Sequence, residues 1–102
     1  MTSNDSTENS NHPDPPLKVI YSGRVQGVGF RWTCQQISRR HDVRGTVRNL
    51  PDGTVELFAD GDPKIVFDFL AEIESEMSTN IQNRTISPAP ETVSVETFQI
   101  VR

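Results

Sequence analysis

Residues 17–41, LKVIYSGRVQGVGFRWTCQQISRRH, change periodicity halfway. Val19, Ile20 and Tyr21, with Val25 nearby and Pro15-Pro16 just before, mark a strand over Leu17–Arg24. From Phe30 the apolar positions fall at Cys34, Ile37 and His41, spaced four, three and four, which predicts a helix. Gln26–Gly29 is the glycine-containing loop between them. A strand that turns at once into a helix is half of a βαβ unit, and the rest of the chain has to complete it.

Working outward, Arg44–Leu50 and Thr54–Asp60 read as short strands, the second setting Val55, Leu57 and Ala59 against Thr54, Glu56 and Phe58. Pro51-Asp52-Gly53 between them has hairpin chemistry: Pro pre-sets φ, Asp caps the bend and Gly accepts positive φ. Asp62 as N-cap and Pro63 in the first turn open a second helix. Its apolar face is Val66, Phe69, Leu70, Ile73 and Met77, with Asp68, Glu72, Glu74 and Glu76 expected to face water. Ser78–Asn80 ends it, Ile81–Ser87 is a candidate edge strand, and Val93–Val101 is expected to be the last strand. The order β-α-β-β-α-β predicts an α+β, ferredoxin-like two-layer sandwich, an antiparallel sheet with two helices on one face.

Residues 1–16 hold no apolar side chain but Met1, so we expect a disordered polar tail followed by one domain over 17–102. The tail has neither the basic start nor the apolar stretch of a signal peptide, which makes the cytoplasm the expected compartment. Cys34 is the only cysteine, so no internal disulfide and no C-x-x-C zinc pair can form; His12 and His41 suggest no metal site. No apolar run approaches the roughly 18 residues that span a bilayer. The chain is expected to be a monomer that binds no membrane.

The net charge of −4 hides an asymmetry. Residues 17–50 carry Lys18, Arg24, Arg31, Arg39, Arg40, Arg44 and Arg48 against Asp42 alone, whereas 51–102 carry ten acidic and three basic residues. A positive half suits an anionic ligand. Equally, folding could pair these arginines with the acidic half, and Arg24, Arg44 and Arg48 read as solvent-facing. Nucleic acid is not the expected partner, because the first four strands hold only Tyr21 and Phe58 as aromatics.

The loop itself is the best anion site. Gly27 and Gly29 let backbone N–H groups approach a ligand closely, and the start of a helix favours negative charge. Arg31 sits in that first turn, where a cation is electrostatically misplaced unless an anion joins it. The P-loop spacing fails at Val28, and the third glycine of the dinucleotide fingerprint is missing. The plainer account is a glycine turn beside a surface arginine.

Gly23-Arg-Val-Gln-Gly-Val-Gly-Phe-Arg31 resembles the signature of the acylphosphatase family, and Gly45-Thr-Val-Arg-Asn-Leu-Pro-Asp-Gly-Thr-Val-Glu56 resembles its second signature at a similar distance. Phe98-Gln-Ile-Val-Arg102 is similar to its last strand. The resemblance covers residues 17–102 and implies a cofactor-free, metal-free enzyme that hydrolyses small acyl phosphates to carboxylate and phosphate. It further implies Arg31 and Asn49 as catalytic, with the Gln26, Gly27, Val28, Gly29 and Phe30 backbone holding the phosphoryl group. Thr46 stands where the family commonly has an aromatic residue, and Trp32 follows the arginine position; both are departures that bear on packing or substrate access. A non-enzymatic anion- or phosphate-binding accessory domain of the same fold is the alternative.

Overall fold

The computed structural model describes residues 13–90 and 95–102. Strand β1 (Leu17–Gly23) runs into helix α1 (Phe30–Ser38), followed by β2 (Val43–Asn49), β3 (Val55–Gly61), helix α2 (Pro63–Glu76), β4 (Ile81–Pro88) and β5 (Phe98–Ile100). The sheet order is β4-β1-β3-β2-β5. Pairings of β1 with β3 and β4, and of β2 with β3, are antiparallel, while β5 joins β2 in parallel. The β4-β1-β3-β2 order is the expected ferredoxin-like sandwich, and β5 adds a fifth strand, in parallel, at the β2 edge.

Register explains the core. Val19 lies opposite Leu57 and Tyr21 opposite Val55, and Val47 meets Leu57 from the other side. Period-two alternation therefore turns all of them to one face. Phe30, Cys34 and Ile37 of α1 and Val66, Phe69, Leu70 and Ile73 of α2 join them in a single buried cluster. Burial pushes the Cys34 thiol pKa up, which leaves it an inert packing group. Asp62 caps α2 as expected, its carboxylate accepting from the Lys64 N–H at 2.9 Å.

One backbone approach is especially tight. A Cβ on Gly45 would lie 1.8 Å from the Phe58 carbonyl oxygen across the β2–β3 ladder. Backbone on a neighbouring strand cannot give way as a side-chain tip can. Gly45→Ala should therefore cost about 3 kcal/mol or more and lower Tm by more than about 10 °C for a domain of this size. A thermal unfolding curve matching wild type would contradict the packing described.

Several sequence expectations need correction. Helix α1 ends at Ser38 rather than His41, because Arg39, Arg40 and His41 donate to carbonyls three residues back and tighten the chain into turns. His41 instead reaches the second helix: its Nε2 lies 2.7 Å from Glu72 Oε1 and its ring packs on Phe69. Nor is the acidic face of α2 merely solvated. Arg40 also reaches Glu72, whose carboxyl is held below its ordinary pKa chiefly by the His41 and Arg40 hydrogen bonds. Glu74 accepts from the Tyr21 hydroxyl at 2.8 Å and from Arg84 at 2.7 Å. Arg44 and Arg48 face solvent as expected, and each also pairs across the ladder, with Asp60 at 2.8 Å and Glu56 at 2.7 Å. Finally, within the described residues the last strand is Phe98–Ile100, and residues 91–94 lie outside them, as do residues 1–12 of the expected tail. Pro16, placed in that tail, accepts a hydrogen bond from the Ala89 N–H at 2.9 Å. Among the described residues no helix is long and apolar enough to cross a membrane.

Candidate active site

The loop between β1 and α1 is tied down from both sides. On one side the Arg24 N–H donates to the Asn80 carbonyl at 2.9 Å, and Asn80 Nδ2 donates back to the Arg24 carbonyl at 3.1 Å. On the other, Gln26 Nε2 donates to the carbonyls of Leu50 and Thr54, each at 2.8 Å. Those two residues are the ends of the β2–β3 hairpin loop, where Leu50 N–H also donates to Thr54 at 2.9 Å. Asp52 completes the turn by accepting from the Thr54 hydroxyl and N–H, which hold its carboxyl below the usual range. The Gln26 amide thus fastens the glycine loop to the strand end that carries Asn49.

Gly27 and Gly29 have φ of +76° and +80°, and a Cβ on either would meet nothing within 4 Å. Conformation rather than crowding calls for glycine here, and it leaves the backbone bare. Gly29 is the N-cap of α1, with no side-chain cap and no acidic residue in the first turn. Thr33 N–H makes the first intrahelical bond, to the Gly29 carbonyl at 2.9 Å. The Phe30, Arg31 and Trp32 N–H groups precede it and form a positive helix end without a built-in anion.

Arg31 is half-buried there and makes no hydrogen bond or ion pair among the described residues, whereas Arg40, Arg44, Arg48 and Arg84 each have a carboxylate partner. Asn49 arrives from β2. Val43, Gly45 and Val47 form the buried row of that strand, so the two-residue period brings Asn49 to the same face. Its Oδ1 is buried and has no hydrogen-bond partner among the described residues. An unsatisfied buried acceptor costs about 1–3 kcal/mol, so the position is not explained by stability.

These groups surround one pocket of about 190 Å³. Gly27, Gly29, Phe30, Arg31 and Asn49 line it, so five of the seven residues expected from the sequence are brought together. Gln26 and Val28 belong to the loop but not to the lining: the Gln26 amide is occupied at the hairpin, and Val28 is exposed. Val25, Trp32 and Ile100 complete the wall. Sequence reasoning passed over Val25 and Ile100 as site residues, and also the Asn80 tether. No sequence signal marks Asn80, whose partner is 56 residues away.

No Asp, Glu, His or Cys lines the pocket, and no cluster of three such residues able to hold a metal occurs among the described residues. What is present is a cation, bare N–H donors and one unpaired acceptor. Such a set can bind a tetrahedral oxyanion and hold a water beside it. It contains no nucleophile for a covalent intermediate.

A family model described as Acylphosphatase matches residues 17–100. An acylphosphatase of Methanospirillum hungatei is 43% identical over 69% of this chain and 77% of its own. One of Lactobacillus johnsonii is 37% identical over 78% of this chain and 90% of its own. Among solved structures, the crystal structure of acylphosphatase from Bacillus subtilis superposes with a TM-score of 0.72 at 26% identity, covering 84% of this chain and 97% of that one.

Proposed function

The chain belongs to the acylphosphatase family, and from that premise we propose that its pocket hydrolyses small acyl phosphates by direct attack of water on phosphorus. Arg31 and the backbone N–H groups of the loop hold the phosphoryl oxygens and take up charge as it develops. Phosphoryl transfer depends on positioning and charge stabilisation more than on covalent chemistry. Asn49 accepts a hydrogen bond from the attacking water and aims its oxygen at phosphorus. As that oxygen bonds to phosphorus, the bond to the acyl oxygen breaks and its electron pair leaves on a carboxylate. That leaving group is stable unprotonated at neutral pH, so the reaction needs no general acid. The water's proton passes to phosphate and solvent. Residues 17–102 are the unit assigned this activity, with residues 1–16 outside it.

The observation that carries this reading is the buried, unpartnered Asn49 Oδ1 in the same pocket as the unpaired Arg31 guanidinium. Benzoyl phosphate is the test, followed by its loss of ultraviolet absorbance. Hydrolysis should proceed at the same rate with millimolar EDTA, since no step passes through a metal. Loss of activity on chelation would overturn the mechanism. Phosphate binding without turnover would point instead to an accessory anion-binding domain.

A further inference from the structure

Val28, Trp32 and Ile100 are the exposed large hydrophobic side chains among the described residues, at 42%, 61% and 38%. They are not scattered. Trp32 and Ile100 line the same pocket as Arg31 and Asn49, and Val28 lies in its loop, between Gly27 and Gly29. Trp32 comes from the first turn of α1, whereas Ile100 comes from β5, which pairs with β2 at Val47, two residues before Asn49. Separate elements thus supply apolar surface to one pocket. Contiguous apolar surface at a ligand site marks what the ligand presents there.

Charge narrows the choice. Among the described residues Arg31 is the only ionisable one lining the pocket, and the proposed reaction uses it on the phosphoryl group. Nothing else in the lining could neutralise a second anion on the acyl side. We propose that Trp32 and Ile100 form an acyl-group subsite selecting acyl phosphates whose carboxylic part is uncharged and apolar, aromatic ones above all. Flat rings gain most from an indole face, through offset stacking as well as area. This rests on the hydrolytic reading above and adds to it the class of substrate.

The test separates the two. Trp32 is the single tryptophan of the chain, so its fluorescence reports on the subsite without turnover. Titrated with benzylphosphonate and methylphosphonate, the wild-type chain should bind the benzyl compound at least about tenfold more tightly, the lower end of what an apolar contact adds to discrimination, with a saturable change in emission. Equal affinities and a silent tryptophan would overturn the subsite. In steady-state assays the ratio of KM for acetyl phosphate to KM for benzoyl phosphate should be about ten or more. It should fall by about tenfold in Trp32→Ala and keep most of its value in Trp32→Phe. An unchanged ratio in Trp32→Ala would refute the subsite even if both compounds are hydrolysed. Tight benzylphosphonate binding with no hydrolysis of either substrate would refute the enzymatic reading and leave the subsite standing.

Discussion

Arg31→Ala should hydrolyse benzoyl phosphate at least about 10³-fold more slowly than the wild-type chain, a loss of about 4 kcal/mol of transition-state stabilisation. It should also lose inhibition by inorganic phosphate, because in the proposed mechanism the guanidinium acts on the phosphoryl group in ground and transition states alike. Nothing in the described structure ties Arg31 to another side chain, so the variant should melt within a few degrees of wild type. Arg31→Lys should recover only part of the activity. A compact ammonium restores the charge but not the planar fork that meets two oxygens at once. Phosphate titration followed by NMR decides the matter: undiminished phosphate binding in Arg31→Ala would reject the role assigned to it.

Asn49→Ala should behave differently in kind. With the water no longer aimed, kcat should fall by about 10²–10³, the usual consequence of losing one preorganised polar contact. Phosphate affinity should stay close to wild type, since Arg31 and the loop N–H groups remain. Stability should hold or rise, because the substitution removes a buried oxygen that has no partner. A variant that loses phosphate binding and keeps turnover would reverse the two roles.

The parts of this molecule that were legible in the sequence are those set by short-range chemistry. The hairpin at Pro51-Asp52-Gly53 follows from local dihedral preferences, and its Asp52–Thr54 bonds are two residues apart. The Asp62 cap and the buried face of α2 follow from spacing along one helix. Asn49 was singled out through motif resemblance, and a physical sign stood beside it. It continues the row of Val43, Gly45 and Val47, so a polar residue stands where the period calls for an apolar one. What the sequence could not disclose depended on register. Arg44 meets Asp60 and Arg48 meets Glu56 only because β2 and β3 align residue for residue, so part of the charge surplus of the first half is matched within the molecule. The bridge from His41 to Glu72 needs the two helices to be packed first. Likewise the parallel pairing of β5 on β2 has no local signature, and it is what brings Ile100 to the pocket.

The two bonds of the Gln26 amide span 24 and 28 residues of sequence. A nascent chain that has formed only β1 and α1 holds the glycines and Arg31, yet lacks both the clamp and Asn49. Closing such a span costs chain entropy that local contacts do not offset, so non-local pairings of this kind tend to be made late. The proposed oxyanion site is therefore not expected to be a property of the glycine motif as a peptide. It should come into being when the hairpin docks, so that recovery of phosphate binding during refolding would time that docking event rather than the appearance of helix.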